Sequence, residues 1–413
     1  MSPRFFSAAA LLLGLAYVFI TPPFEVPDEQ NHFWRALAIG HGQLLPRRGP
    51  DTTTIVKSTQ SFVWVLVRTE PRETLKQKLR IAAALPYDGA AARTVRFAAW
   101  YTPLPYAAQS VVARLPLRPV IVFYGGRIAN LVLAVFLIAL AIRAAPQYGN
   151  IIAAAAFLPM SLYELASWSA DATTIALAWL FTALLLVPPR RAAIVALAGF
   201  AMALCKPAYF LIALLALVAP LRRGARIAIL GATLTGTVLA VLAAGRGSYN
   251  PRLGLPVDAA AQWQCIAAHP IHFANVVVRD LAGNGRFYIE EMIGRFGANE
   301  IKLSPVIITI EIILMVVVAL AAGTSLRGRV RAMAAATIAM TIVGILLSQY
   351  LIWSVVCGDV IEGVQGRYFL EILPLFLAAV AIPRLRSSVS PWVIAAVAVV
   401  CNAGAWFTIQ RYW

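Results

Sequence analysis

Eleven apolar runs divide this sequence, and they constrain its fold more than any other feature. A membrane-spanning helix needs about 20 predominantly apolar residues, and the longest runs reach that length. Of the 413 residues, 61% are hydrophobic and 13% charged, whereas soluble domains carry about 25% charged residues. We predict an all-α polytopic membrane protein with one integral domain over 1–413, which excludes a compact water-soluble enzyme. The predicted spans are 5–20, 121–142, 151–163, 172–187, 192–204, 208–218, 227–244, 305–322, 332–354, 368–382 and 391–409.

Two long polar segments, 21–119 and 245–304, interrupt this pattern. No small-x-small cleavage pattern follows the first run, so we predict that it is retained as a helix. The last part of the first segment, 100–117, is more apolar, but Pro103 and Pro105 interrupt it. We expect it to lie on the membrane or re-enter it, and we expect interfacial helices in both segments.

Arginines in the short connections predict the orientation, because basic residues in short loops favour the cytoplasmic side. With a cytoplasmic amino terminus, twelve Arg lie inside, whereas the opposite short loops and carboxyl tail hold three basic residues, Lys206, Arg367 and Arg411. Both long segments, all 18 acidic residues and all four His then face outward from a bacterial inner membrane. The twelve are Arg4, Arg143, Arg190, Arg191, Arg222, Arg223, Arg226, Arg327, Arg329, Arg331, Arg384 and Arg386.

The net charge of +17 is mostly this orientation signal, since the rest of the chain holds 23 basic and 18 acidic residues. Nucleic acid is excluded as a partner because the remaining basic residues face outward. The basic run 72–80 is interpreted as a solvated helix face, with anionic head groups or an anionic glycan as alternative contacts. No G-x-x-x-x-G-K pattern is present, which disfavours a nucleotide-driven pump.

The four cysteines show no C-x-x-C spacing, so four free thiols are the default expectation. The alternative is a disulfide between Cys265 and Cys357, both in predicted outer segments.

The most informative stretch, residues 22–36, follows the first span directly. It holds three acidic residues, one His and one Arg close to the predicted membrane surface. One interpretation is structural, because Pro27 suits the first position of a helix and Asp28 and Glu29 suit its first turn. The other is functional, because these carboxylates could meet a lipid head group whose tail stays in the bilayer.

Pro27-Asp28-Glu29 after a first transmembrane helix resembles the opening of the type C (GT-C) glycosyltransferases, which take sugars from polyprenyl-phosphate carriers. The Pro- and Tyr-rich segment 100–106, followed by Ala113-Arg114-Leu115-Pro116, is similar to the segment before their second helix, although Thr102 replaces a proline. The resemblance implies a GT-C-like bundle of about 11 helices. It also implies that an acidic residue of the first outer loop is catalytic.

The chain more closely resembles a bacterial family of multipass membrane proteins of unknown function, which shares the Pro-Asp-Glu motif. The other shared motifs are Ser169-Ala170-Asp171, Cys205-Lys206-Pro207-Ala208-Tyr209, Ile293-Gly294-Arg295-Phe296-Gly297 and Glu362-Gly363-Val364-Gln365-Gly366-Arg367-Tyr368-Phe369.

This resemblance predicts transfer of a sugar from a polyprenyl phosphate to an outer glycan or lipid acceptor. Attack by an acceptor hydroxyl needs a general base, for which Asp28 is the first candidate and Glu29 the second. The departing phosphate needs positive charge, and Arg367, Lys206 and Arg127 are the candidates. Candidates for sugar or acceptor contacts are Asp171, Glu164, Tyr101, Tyr209, Gln365, Glu362, His32 and Arg35.

Each basic candidate also has a structural interpretation. Arg367 and Lys206 could form ordinary ion pairs with Glu362 or Glu164, and Arg127 could extend to the interface. No cofactor is firmly predicted. A divalent metal is left open, because Asp28 and His32 share a helix face and His269 lies near His272, although known ligand sets are denser.

Two other classes of function compete with this one. A transporter or flippase of lipid-linked glycan would show internal repeats and polar groups at the midplane, and no repeat is visible. A glycan polymerase or ligase would use a pyrophosphate-linked donor and favour two or more Arg at the leaving group.

Overall fold

The computed structural model describes residues 1–45, 53–66, 72–94, 101–188, 191–245, 257–322, 324–382 and 389–412. Trp100 of the Pro-rich segment, and Arg190, Arg384 and Arg386 of the orientation pattern, lie outside these ranges. In the described ranges the α-helices are α1 Pro3–Ile20, α2 Glu29–Gly40, α3 Lys57–Leu66, α4 Arg72–Ala84, α5 Ala107–Ala113, α6 Pro119–Ala144, α7 Gly149–Phe157, α8 Pro159–Leu165, α9 Asp171–Leu186, α10 Ala192–Cys205, α11 Arg223–Ala244, α12 Ala259–Ala268, α13 Pro270–Gly294, α14 Pro305–Leu320, α15 Gly328–Ile352, α16 Leu373–Val380 and α17 Pro391–Tyr412.

Within the described ranges, five helices are long and apolar enough to cross a membrane: α1, α6, α11, α15 and α17. Shorter apolar helices occupy four further predicted spans: α9, α10, α14 and the 3-10 helix Pro207–Leu217. Exposed apolar side chains such as Leu234 and Leu242 on α11 suit contact with lipid. The helical membrane fold is therefore confirmed, whereas the count of eleven spans and the orientation remain predictions.

Two predicted spans are interrupted, and a third is a 3-10 helix instead of an α-helix. The run 151–163 divides into α7 and α8 before Pro159, and 208–218 is a 3-10 helix that starts at Pro207. The run 368–382 starts as the 3-10 helix Gly366–Ile372 and continues as α16, which has Pro374 in its first turn. Proline lacks the N–H that a helix interior needs and restricts the residue before it, so helices restart at these positions.

The core lies where α7, α8 and α9 are surrounded by other helices. All seven residues of α8 and most of α9 are buried, which agrees with sequences that are mainly apolar around the helix. Helix α1 packs against α6, α8 and α17. Its start is fixed locally, because Ser2 Oγ accepts the N–H of Phe5 at 3.3 Å and Pro3 occupies the first turn.

The two long polar segments contain helices and short pairs of antiparallel strands. In the first, β1 (Thr53–Val56) pairs with β2 (Ala91–Thr94), with Val56 opposite Ala91. In the second, β3 (Arg295–Phe296) pairs with β4 (Ile301–Lys302). The Pro-rich piece forms a 3-10 helix, Leu104–Tyr106, and the seven-residue α5. At about 1.5 Å per residue, α5 is too short to cross a bilayer.

Cys265 and Cys357 form a disulfide, with their Cα atoms 5.8 Å apart. The default expectation of four free thiols was therefore wrong. No sequence spacing predicts this bond, because α12 and the segment after α15 meet only in the folded chain. Cys205 and Cys401 are free and buried.

We predict that peptide mapping of the unreduced, denatured protein recovers one linked pair, Cys265 with Cys357. Under the same conditions an alkylating reagent should label Cys205 and Cys401. A Cys401→Ala variant should keep the linked pair and lose one label. Alkylation of Cys357 without reductant would contradict the bond.

Candidate functional site

Five charged side chains from distant parts of the chain meet in one cluster: Asp28, Glu164, Asp171, Lys206 and Arg367. Arg367 Nη2 lies 3.2 Å from Asp28 Oδ2, and Arg367 Nη1 lies 3.0 Å from Glu164 Oε1. Arg367 Nη1 is also 3.7 Å from Asp171 Oδ2, and Lys206 forms an ion pair with Asp171. All five were sequence-predicted candidates, and we call this group the charge cluster.

Each member of the charge cluster lies at or near an end of a secondary-structure element. Asp28 precedes α2, Glu164 is close to the end of α8, and Asp171 begins α9. Lys206 lies in extended backbone between α10 and Pro207, a conformation favoured before proline. Arg367 follows Gly366 in the 3-10 helix. The breaks at prolines and short helices therefore bring functional groups to one place.

Arg367 is held in one orientation by its neighbours. Its Nε donates to Gln365 Oε1 at 2.6 Å, and its Nη1 donates to Glu164. The guanidinium lies 5.5 Å from the centre of the Tyr368 ring, and Lys206 Nζ lies 5.0 Å from the same ring. An aromatic ring attracts a cation that lies above its face, so the Tyr368 ring helps to hold both side chains. Tyr368 was absent from the predicted site, although it directly follows Arg367.

Asp28 is the member of the charge cluster that solvent reaches most easily. Its side chain is 53% exposed, against 4% for Arg367 and 11% for Lys206. Its backbone is in the left-handed region, with φ of 61°, which is uncommon for residues other than glycine and is enriched at functional sites. The fold thus leaves this carboxylate accessible.

A fully buried ion pair between Glu29 and Arg127 supports the turn that carries Asp28. Arg127 donates to the two Glu29 oxygens at 2.8 and 2.6 Å. Its other N–H groups donate to the carbonyls of Val18, Thr21 and Pro22 at 2.7–3.0 Å. Glu29 also accepts the backbone N–H groups of Phe24 and Trp168.

These bonds use all five guanidinium N–H groups of Arg127, and both Glu29 oxygens accept two bonds each. We therefore reassign Arg127 from phosphate ligand, and Glu29 from second-choice base, to residues that position Asp28. Asp28 remains the candidate base.

Two candidates on α2 have structural partners. Arg35 donates to the carbonyls of Tyr101, Gln43 and Leu44 at 2.7–3.2 Å, which makes it a brace rather than a sugar contact. His32 Nδ1 lies 2.7 Å from Tyr106 Oη. Because burial disfavours the imidazolium, the pKa of His32 is lowered to about 4.

The remaining candidates lie close to the charge cluster or in the segment before Arg367. The Tyr101 ring centre is 5.8 Å from Lys206 Nζ. Tyr209 Oη donates to the Tyr368 carbonyl at 3.0 Å, and the Glu362 N–H donates to Ser354 Oγ at 3.0 Å. Thr102, where the resemblance led us to expect proline, donates to the Leu204 carbonyl at 2.8 Å and so ties this segment to α10.

No group of three or more His, Cys, Asp or Glu side chains in the described ranges is arranged to hold a metal ion. His272 Nδ1 lies instead 4.0 Å from Asp359 Oδ1. The structure therefore gives no support to the divalent metal left open above.

Replacing Arg127 with Met should destabilise the folded protein by about 3–5 kcal/mol, because Glu29 would be left as a buried, unpaired charge. The measurement is thermal unfolding in detergent. Arg143→Met is the matched control, since Arg143 lies on α6 but is exposed. Equal melting temperatures for the two variants would contradict the bracing role.

His32 should make stability depend on pH in a defined window. Since its pKa is lowered in the folded state, the unfolded state binds the proton first as pH falls. The free energy of unfolding should therefore decrease as pH falls from 6.5 toward 4. Melting temperatures of His32→Gln should fall less steeply between pH 6.5 and 5 than those of wild type, and parallel curves would refute this.

The comparisons with known proteins agree with a membrane protein whose function is open. Residues 11–376 match the family described as predicted membrane protein (DUF2142). No match was found among curated proteins or among solved structures. The matched range contains the whole charge cluster, but the match does not extend to the glycosyltransferases. The chain belongs to the DUF2142 family of predicted membrane proteins.

Proposed function

We propose that this protein is a membrane glycosyltransferase that moves a sugar from a polyprenyl-phosphate carrier to an extracytoplasmic glycan or lipid acceptor. One observation carries the proposal: a half-exposed carboxylate, Asp28, lies 3.2 Å from a buried guanidinium, Arg367. Asp28 follows the first predicted span, 5–20, and Arg367 directly precedes another, 368–382, so a ligand could keep its tail in lipid and bring its head group to the charge cluster.

Asp28 is the proposed general base. Its exposed carboxylate would accept the proton of the acceptor hydroxyl as that oxygen bonds to the anomeric carbon. The bond between the anomeric carbon and the phosphate oxygen breaks, and the phosphate leaves with the electron pair. A carboxylate in hydrogen-bond reach typically contributes 10²- to 10⁴-fold to the rate of such a step.

Inversion at the anomeric carbon is the expected stereochemistry. A retaining course needs a second carboxylate as nucleophile. In the charge cluster, Glu164 is buried against Arg367 and Asp171 is paired with Lys206. Those two carboxylates are buried as well as paired, whereas Asp28 is half-exposed, so Asp28 alone is proposed to act on the sugar.

Arg367 and Lys206 are the proposed ligands of the leaving phosphate. Tyr368 flanks both cations, and carboxylates hold them in place before the donor arrives. Desolvated, pre-oriented cations stabilise developing negative charge without reorganisation. We assign Asp171, Glu164 and Gln365 to fixing these cations rather than to touching the sugar.

A glycan polymerase or ligase is the second candidate. The two cations over one tyrosine ring, at 5.0 and 5.5 Å, could hold both phosphates of a pyrophosphate-linked donor. Such an enzyme would consume pyrophosphate-linked oligosaccharides and leave monosaccharide phosphates untouched.

Wild type in nanodiscs, given polyprenyl-phosphate sugars and cell-envelope glycan fractions, should consume donor. Asp28→Asn should lower the rate at least about 100-fold, because the amide cannot act as base. Asp88→Asn is the control, since Asp88 is also a half-exposed carboxylate and pairs with Lys57 at 3.6 Å, outside the charge cluster.

Three results would count against this proposal. An unchanged rate in Asp28→Asn removes the base assignment. No turnover of any monosaccharide donor by wild type, with turnover of a pyrophosphate-linked oligosaccharide, favours the polymerase or ligase. Movement of intact lipid-linked glycan across the bilayer without loss of donor favours a flippase.

A further inference from the structure

Gly366 lies where α13 passes unusually close to the segment that carries Arg367. A Cβ atom at position 366 would lie 2.1 Å from the Tyr288 carbonyl oxygen and 2.6 Å from Glu291 Cβ. At these distances, any side chain at position 366 would force the backbone to move. Glycine therefore permits the second polar segment to touch the residue next to Arg367.

Glu291 makes the specific bond at this contact. Its Oε2 accepts the backbone N–H of Gly366 at 2.7 Å, and the residue is 2% exposed. Its neighbour Glu290 is partly exposed and pairs with Arg286 and Arg295 at 3.0 and 3.2 Å. Of these two adjacent carboxylates, the partly exposed one joins two arginines, and the buried one holds the backbone beside Arg367.

The preceding residues are tied to the same helices. Cys357 is joined to Cys265 by the disulfide, and its N–H donates to Gln262 Oε1 at 2.7 Å. Asp359 lies 3.8 Å from Arg279 on α13. Of these contacts, the bond from Gly366 to Glu291 is the nearest to Arg367 along the chain. It therefore fixes the position of the Arg367 backbone.

We propose that Glu291 is a positioning residue for Arg367. It holds the Gly366 backbone against α13, so that the guanidinium stays between Asp28 and Glu164. This couples the second polar segment to the candidate base in the first. The effect on turnover rests on the proposed function, whereas the effect on the Gly366 backbone does not.

The test combines amide hydrogen exchange with donor turnover. In Glu291→Ala, exchange in peptides that contain Gly366 should speed up about tenfold, the value of one lost hydrogen bond. Glu291→Gln, whose side-chain oxygen can still accept this N–H, should keep exchange near that of wild type. Glu290→Ala is the matched control on the same helix and should leave these peptides unchanged.

Turnover is measured on the same variants at saturating donor. Glu291→Ala should lower kcat about tenfold, with Glu291→Gln restoring most of it and Glu290→Ala keeping the wild-type rate. Should Glu291→Ala fail to fold, Glu291→Asp, which withdraws the carboxylate by one methylene group, replaces it with the same expectations.

Unchanged exchange at Gly366 in the disrupting variant would overturn the inference whatever the activity. Faster exchange with a wild-type rate of turnover would also overturn it, because Arg367 would then not depend on this contact. If exchange in Glu291→Ala is faster but even wild type turns over no donor, the role of Glu291 in holding the Gly366 backbone is supported and the proposed function is refuted.

Discussion

The buried pair of Glu29 and Arg127 is the interaction on which the site depends. A charge pair in the interior is tolerated only when its remaining donors and acceptors are also satisfied. Here the end of α1, the turn after it and the Trp168 backbone all supply partners. The turn is thereby fixed on several sides, which lets Asp28 keep a left-handed backbone that would be costly in a free loop.

Packing around this pair leaves little freedom. Gly126, next to Arg127, lies under Trp168, where a Cβ atom would be 1.9 Å from the indole ring. The Trp168 indole N–H donates to the Phe123 carbonyl at 2.9 Å. The segment between α8 and α9 is therefore docked on α6, which sets where Glu164 and Asp171 enter the charge cluster.

The apolar runs predicted most of the helices. The runs 5–20, 121–142 and 391–409 correspond to α1, α6 and α17 with small shifts at their ends. The run 151–163 is continuous in hydropathy, but its helix is broken at Pro159 because proline lacks the backbone N–H that a helix interior needs. Hydropathy does not report this missing N–H. Prolines mark such breaks in the sequence, but they do not show which breaks will meet.

The candidate residues were predicted better than their roles. Asp28, Lys206 and Arg367 meet as expected. Lys206 and Arg367 were chosen because the predicted outer short loops hold few basic residues, so the orientation signal does not explain these two. Glu29 and Arg127 were assigned to chemistry because their partnership, over 98 residues of sequence, has no local signature. Glu291 was not singled out either, because only the fold brings it to Gly366.

The sequence by itself determined that this chain is a helical membrane protein and which few charged residues needed a function. Hydrophobicity and proline act within a turn or two of their own position, so they can be read locally. Only the tertiary structure decided which carboxylate is exposed, which are bound to cations and which brace the backbone. Those assignments depend on long-range pairing and burial, which no local pattern encodes.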